Sequence, residues 1–332
     1  MTKQTVFITR VVPQKGLDLI LNEPEVEAEI WPEELPPPRE ILLEKVAGID
    51  GLYCLLTEKI DDELLDAAGP QLKVVSQMAV GVDNIDVAAC TRRGIPVGNT
   101  PGVLTEATAD LTLALLLGTA RQLVRAAEAV KAGRWRTWEP LGYTGPDVYG
   151  STVGIIGLGR IGLAVARRLQ GFNVRLLYHN RRPNPAAAEV GATWVELDTL
   201  LAESDFVSLH FPATPETRHF INAERLRQMK PTATLINTAR GDVVDQNALI
   251  EAVREGVIAY AGLDVTTPEP LPAGNPLLSL PNATVLPHIG SASFSAREKM
   301  ATMAAENLLA GLREGRLPHC VNPAVYDRHY RN

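Results

Sequence analysis

Three short segments hold side chains suited to anion binding and proton transfer: Asn237-Thr-Ala-Arg240-Gly-Asp242, Gly262-Leu-Asp264-Val-Thr-Thr-Pro-Glu269-Pro270 and Leu286-Pro-His288-Ile-Gly290-Ser291. Arg240 can grip carboxylate and carbonyl oxygens together through paired, charge-assisted bonds. His288 can exchange a proton near neutral pH, where its ordinary pKa lies. Glu269, nineteen residues earlier, can hold the other imidazole nitrogen and stabilise imidazolium. A fourth segment, Gly157-Leu158-Gly159-Arg160-Ile161-Gly162, follows the apolar run Val153-Gly-Ile-Ile156 and opens a helix from Ile161 to Leu169. Strand before and helix after make a Gly-x-Gly-x-x-Gly informative about a dinucleotide. Gly157 permits the tight turn, Gly159 lets a pyrophosphate approach the backbone, and Gly162 allows close helix–strand packing. The helix start adds unpaired N–H groups and a positive dipole end. The plainer alternative is a glycine-rich turn without a ligand.

The elements that must position these groups read as alternating strands and helices. Thr5 to Thr9, Gly51 to Leu56 and Leu72 to Ser76 are buried strands by composition, and Pro37 to Ala47 and Asp61 to Ala67 are helices, with Asp61 as N-cap. One long helix from Leu104 to Lys131, ending at Gly133, is apolar over most of its surface from Leu111 to Leu117, which predicts burial at a domain junction or subunit interface. A second series has strands at Thr152 to Gly157, Val174 to Tyr178, Asp205 to Phe211, Ala233 to Asn237, Val257 to Leu263 and Thr284 to Leu286. Asp245 caps a helix from Gln246 to Glu255, Gly256 stops it, and a last helix from Ser295 to Arg313 returns to the first domain. The pattern predicts two doubly wound parallel-sheet α/β domains: a Rossmann cofactor domain, 102–289, inserted in a discontinuous flavodoxin-like substrate domain, 1–101 and 290–332, with a cleft between them. The three chemical segments all follow strands, so they share the carboxyl edge of one sheet, where such folds bind ligands.

The strand Arg175 to His179 ends near the expected adenine ribose, where an NAD site usually carries Asp or Glu. Here the residues are Asn180-Arg181-Arg182, and guanidinium groups suit a 2′-phosphate. NADP(H) is therefore expected in preference to NAD(H), which remains possible; the alternative is two solvated loop arginines.

Taken together, the glycine turn, the three segments and Val80-Gly81-Val-Asp83-Asn84 resemble the D-isomer-specific 2-hydroxyacid dehydrogenase family over essentially the whole chain. Asp-Val-Thr-Thr-Pro-Glu-Pro-Leu-Pro, Leu-Pro-His-Ile-Gly-Ser-Ala and Glu306-Asn-Leu-Leu-Ala-Gly-Leu312 are most similar to its glyoxylate/hydroxypyruvate reductases. The resemblance implies NADPH-preferring reduction of glyoxylate and hydroxypyruvate to glycolate and D-glycerate, with Arg240, Glu269 and His288 as catalytic triad and His288 as proton donor. It assigns Val80, Gly81, Arg240, His288, Ser291 and Trp138 to the substrate. It assigns Thr105, Gly157, Leu158, Gly159, Arg160, Ile161, Gly162, Asn180, Arg181, Arg182, Thr238, Ala239, Asp264 and Gly290 to the cofactor. In the resembling reductases a tryptophan matching Trp138 reaches the neighbouring subunit's substrate pocket; interface or core packing is the alternative, and either implies a homodimer. Asp264 could equally be a strand-end turn former, Thr105 a helix terminus and Asn84 a helix-start residue. Two rival functions remain: another D-2-hydroxyacid dehydrogenase, or a nucleotide-sensing corepressor or scaffold of the same fold. Formate dehydrogenases resemble Gln-His where this chain has Glu269 and His288.

Composition sets the outer limits. The chain has 332 residues, 45% hydrophobic and 21% charged, which is ample for two cores. A net charge of −7 gives no general basic field for nucleic acid. The apolar run Leu111 to Leu117 is too short to cross a bilayer, and the first residues lack the pattern of a secretory signal. Cys54, Cys90 and Cys320 are scattered, and His179, His210, His219, His319 and His329 show no ligand spacing, so neither disulfides nor a metal are expected. A soluble cytoplasmic protein acting on a small 2-oxo acid, without membrane or nucleic-acid partners, is the expectation.

Overall fold

The computed structural model describes residues 3–327; His329 lies outside them. The chain folds as two compact units, one made of residues up to Leu104 with those from Ala292 onward, the other of Thr105–Ser291.

The first unit is built on a parallel sheet of β1 (Gln4–Ile8), β2 (Val26–Ile30), β3 (Gly51–Cys54), β4 (Val74–Gln77) and β5 (Val97–Gly98), in the order β2-β1-β3-β4-β5. This is the flavodoxin-like doubly wound order. β3 and β4 are buried along their whole length, which is why they read as continuous apolar runs. β2 has no counterpart in the sequence reading: its Val-Glu-Ala-Glu-Ile lies at the sheet edge, with charges turned to solvent. β5 is two residues long, too short for any periodicity. Asp61 caps the helix Asp62–Ala68, accepting from the Leu64 N–H at 3.2 Å. Asn84 does not start a helix; Asp86 caps Val87–Arg92, while Leu55 and Glu58 carbonyls engage the Asn84 amide. The helix Phe294–Arg313 packs on β3 and β4, its Ala301 and Ala304 carbonyls accepting from the hydroxyls of Tyr53 at 3.2 Å and Ser76 at 2.7 Å.

The second unit holds β6 (Thr152–Ile156), β7 (Arg175–His179), β8 (Thr193–Trp194), β9 (Phe206–Leu209), β10 (Thr234–Asn237), β11 (Tyr260–Leu263) and β12 (Ala283–Val285). They pair in parallel in the order β12-β11-β10-β9-β6-β7-β8, a Rossmann order extended by one strand. The order reverses between β6 and β9, the switch point at which this fold binds ligands. Two apolar cores cover the sheet, one around Leu209, Leu235 and Leu249, the other around Leu116, Ile155 and Val165.

The single long helix expected from Leu104 to Lys131 is two, Thr105–Ala120 and Leu123–Lys131. Gln122 breaks it in the left-handed conformation at φ 50°, its side-chain amide donating to the Thr144 carbonyl at 2.6 Å. The first helix is buried over residues such as Thr112, Leu115 and Leu116, whereas Leu123, Val124 and Val130 of the second are exposed. Among the described residues no helix is long and apolar enough to cross a membrane.

Candidate active site

β6 delivers the chain into the glycine turn. Gly157 has φ 95°, and a Cβ there would lie 2.7 Å from the His210 carbonyl, so both backbone and space require glycine. A Cβ on Gly162 would meet the Gly157 carbonyl oxygen at 2.4 Å, which locks the helix Arg160–Leu169 onto the turn. At Gly159 a Cβ would point into open space, and this N-cap carries no side-chain cap bond. The first helical amides, those of Arg160 and Ile161, have no carbonyl four residues back to bind. An open glycine followed by uncapped amides at the positive end of a helix fits the diphosphate of a dinucleotide.

Leu158 is built into the turn. Its side chain is buried, its N–H donates to Asn180 Oδ1 at 2.7 Å, and its carbonyl accepts from Asn184 Nδ2 at 2.6 Å. Asn180 thus braces the turn with its carbonyl oxygen. The Tyr178 hydroxyl accepts from the Asn184 N–H at 2.9 Å, and Trp194 Nε1 donates to the Asn180 carbonyl at 3.1 Å. Between the two asparagines Arg181 and Arg182 stand exposed. Glu216 is drawn below its ordinary pKa, first by the Thr214 hydroxyl and also by the Arg181 charge.

The three chemical segments leave β10, β11 and β12, whose register pairs Asn237 with Leu263 and Leu263 with Val285, so they share one edge. Asn237 shapes the first, its Nδ2 donating to the Arg240 carbonyl at 2.7 Å and its Oδ1 accepting from the Ala239 N–H at 3.0 Å. Arg240 is half-buried, with Nη1 donating to the Ala239 carbonyl at 2.8 Å. The Thr238 and Thr112 hydroxyls share a hydrogen bond of 2.8 Å, which ties this loop to the helix headed by the half-buried Thr105. The second segment presses on the first: a Cβ on Gly241 would fall 2.0 Å from the Thr266 carbonyl oxygen, and the Thr267 hydroxyl donates to Asp242 Oδ1 at 3.0 Å.

Glu269 lies between two cis prolyl peptides, Thr267–Pro268 and Glu269–Pro270, and its Oε1 meets His288 Nδ1 directly. His288 itself has φ 54°, uncommon for a residue with a Cβ. Asp264 holds it there. The Asp264 carbonyl accepts from the His288 N–H at 2.9 Å, Oδ1 from the Ile289 N–H at 2.8 Å and Oδ2 from the Gly290 N–H at 2.7 Å. Burial pushes the Asp264 carboxyl above its ordinary pKa, against the opposing pull of those amides and of His288. Sequence reasoning missed this clamp; a strand-end aspartate gives no sign of which loop it will hold. Ser291, half-buried, closes the unit.

Val80 and Gly81 belong to the first unit, on the loop after β4, with their carbonyls accepting from side-chain amides of Asn99 and Gln77. Trp138 is 79% exposed, on a segment that also exposes Trp135 and Leu141. Among the described residues no cluster of three or more His, Cys, Asp or Glu could hold a metal ion.

Residues 113–290 match the family described as D-isomer specific 2-hydroxyacid dehydrogenase, NAD binding domain. A glyoxylate reductase of Korarchaeum cryptofilum (strain OPF8) is 51% identical over 325 residues, 97% of each chain. A Thermus thermophilus protein of solved structure superposes with a TM-score of 0.89 at 50% identity, over 96% of this chain and 100% of that one. The NADPH-dependent glyoxylate/hydroxypyruvate reductase of Sinorhizobium meliloti, solved with NADP and malonate, gives a TM-score of 0.81 at 34% identity, over 96% of this chain and 97% of its own. The chain belongs to the D-isomer specific 2-hydroxyacid dehydrogenase family and is an NAD(P)-dependent oxidoreductase.

Proposed function

We propose that the protein reduces glyoxylate and hydroxypyruvate to glycolate and D-glycerate, using NADPH in preference to NADH, with His288 as proton donor. The observation that carries this reading is the His288–Glu269 pair at the edge shared with Arg240. The carboxylate at Nδ1 fixes the ring's orientation, and among the described residues Nε2 meets no partner, so it can face a reacting oxygen. Arg240 binds the oxygens of the 2-oxo acid and orients its carbonyl. Val80 and Gly81 receive the carboxylate through backbone amides. When bound, the reduced nicotinamide supplies the hydride. The protein's own residues then add the proton to the forming alkoxide, and the Asp264 clamp keeps His288 aimed throughout.

Exposed Arg181 and Arg182, set beside the turn that holds the diphosphate, support the NADPH preference. The apolar exposure of Leu123, Val124, Val130, Trp135, Trp138 and Leu141 supports a homodimer. The test measures loss of nicotinamide absorbance by the native chain and by His288→Ala, with glyoxylate, hydroxypyruvate and pyruvate against each cofactor. Native turnover of the first two with NADPH, falling by about 10²–10⁴-fold in the variant while NADPH still binds, is the expected result. No native turnover would sink the assignment, and near-native turnover of the variant would remove His288 from its role.

A further inference from the structure

We propose that Gln77 and Asn99 are positioning residues for the substrate's carboxylate, because they hold the carbonyl side of the loop whose amides receive it. The inference rests on the 2-oxo acid reading above and extends it to side chains that never touch the substrate.

Three consecutive carbonyls of this loop are pinned. That of Ala79 accepts from the Thr100 N–H at 2.9 Å, that of Val80 from Asn99 Nδ2 at 2.8 Å and that of Gly81 from Gln77 Nε2 at 2.6 Å. In a planar trans peptide the N–H points opposite to the C=O. The N–H groups of Val80, Gly81 and Val82 are therefore turned away from these donors. Among the described residues none of the three meets an acceptor. Successive unpaired amides on a loop make a site for an anion. The loop follows β4 at its carboxyl end, the edge where doubly wound sheets take ligands.

The two donors are themselves fixed. Gln77 is buried and forms a reciprocal amide pair with Asn84, both bonds 2.9 Å; Asn84 in turn donates to the Leu55 and Glu58 carbonyls at 3.0 and 2.7 Å. Asn99 is anchored by its backbone, its N–H donating to the His319 carbonyl at 3.2 Å and its carbonyl accepting from Asn307 Nδ2 at 2.9 Å. Removing the Asn99 side chain thus leaves its strand-end backbone in place. A primary amide also suits the task chemically: it donates to a carbonyl without adding a charge that would repel or capture the arriving acid.

The test is Asn99→Ala, with Asn99→Ser as second variant should the first not fold. Steady-state kinetics with glyoxylate and NADPH, inhibition by oxamate, and NADPH binding by fluorescence are measured on both chains. Oxamate is chosen as an unreactive 2-oxo acid isostere. We expect KM for glyoxylate and the inhibition constant of oxamate to rise about tenfold, ~1.4 kcal/mol. The reacting bond is not the carboxylate, so its grip is equal in ground and transition states, and kcat should stay within about twofold. NADPH binding should not change. Unchanged KM, or a lowered kcat at unchanged KM as a loss of folded protein would give, overturns the inference. An idle native chain would instead overturn the functional reading, and undiminished oxamate binding by the variant would still refute the role of Asn99.

Discussion

Replacing Gly241 with alanine tests whether contact between two loops sets the geometry of the triad. Gly241 follows Arg240, and Thr266 lies three residues before Glu269. A Cβ at 241 would sit 2.0 Å from the Thr266 carbonyl oxygen, 2.2 Å from its carbonyl carbon and 2.6 Å from Thr267 Oγ1. Packed neighbours keep about 3 Å or more, so the loops must separate by about 1 Å, and two of these three atoms are backbone that cannot rotate aside. Overpacking of this kind costs ~1–3 kcal/mol, and each kcal/mol lowers Tm by roughly 2–4 °C in a unit of this size. A misplacement of ~1 Å costs about 10²-fold in rate. Gly241→Ala should therefore lower Tm and cut kcat/KM for glyoxylate about a hundredfold. NADPH binding should weaken less than kcat/KM falls, because the glycine turn follows β6, while Thr238 and Ala239 share the displaced loop. Gly274→Ala is the control, since a Cβ there meets nothing within 4 Å. Native kinetics and Tm in Gly241→Ala would refute the reasoning outright.

Two further perturbations follow from the same geometry. Arg181→Ala should raise KM for NADPH about 10–100-fold, the loss of ~1.5–3 kcal/mol of charge-assisted bonding, with little change for NADH; equal effects on both cofactors would make Arg181 a solvated loop residue. His210 is expected to make the fold acid-sensitive: burial pushes its imidazole down to about 4, whereas an unfolded histidine titrates near 6.5. Between those values the unfolded chain holds the extra proton, so stability is complete above about pH 6.5 and declines as pH falls through about 4. The decline is at most ~3 kcal/mol, and less where water reaches the half-buried ring. Urea unfolding at about pH 7 and pH 5 should show a smaller decline for His210→Gln than for the native chain; identical pH dependence would exclude His210 as its source.

What could be read from the sequence was what periodicity and spacing encode. β3, β4, β6 and β10 are buried on both faces and gave long apolar signals; Arg240, Glu269 and His288 stood in segments that each follow a strand. β2 was hidden by its solvent-facing glutamates, and β5 and β8 by having two residues each. The break at Gln122 escaped because nothing about glutamine marks a left-handed residue; a hydrogen bond to Thr144, 22 positions away, holds it. The same holds in the site. The His288–Glu269 pair could be anticipated from residue types, but the Asp264 clamp depends on which loop the neighbouring strand delivers. Long-range partners of polar side chains are tertiary facts, and a single sequence contains no pattern for them.

The paired asparagine brace around Leu158 has a consequence for how cofactor choice could drift. Asn180 and Asn184 fasten the loop to the glycine turn at both ends, and Arg181, Arg182 and Pro183 span the gap, with no hydrogen bond to that turn among the described residues. The glycine turn and the arginine pair are thus separate pieces of chain, joined through Asn180 and Asn184. Under the proposed NADPH preference, substitutions at 181 and 182 would shift which dinucleotide is welcome while the turn keeps its shape, a short cassette for exchanging one nicotinamide pool for another.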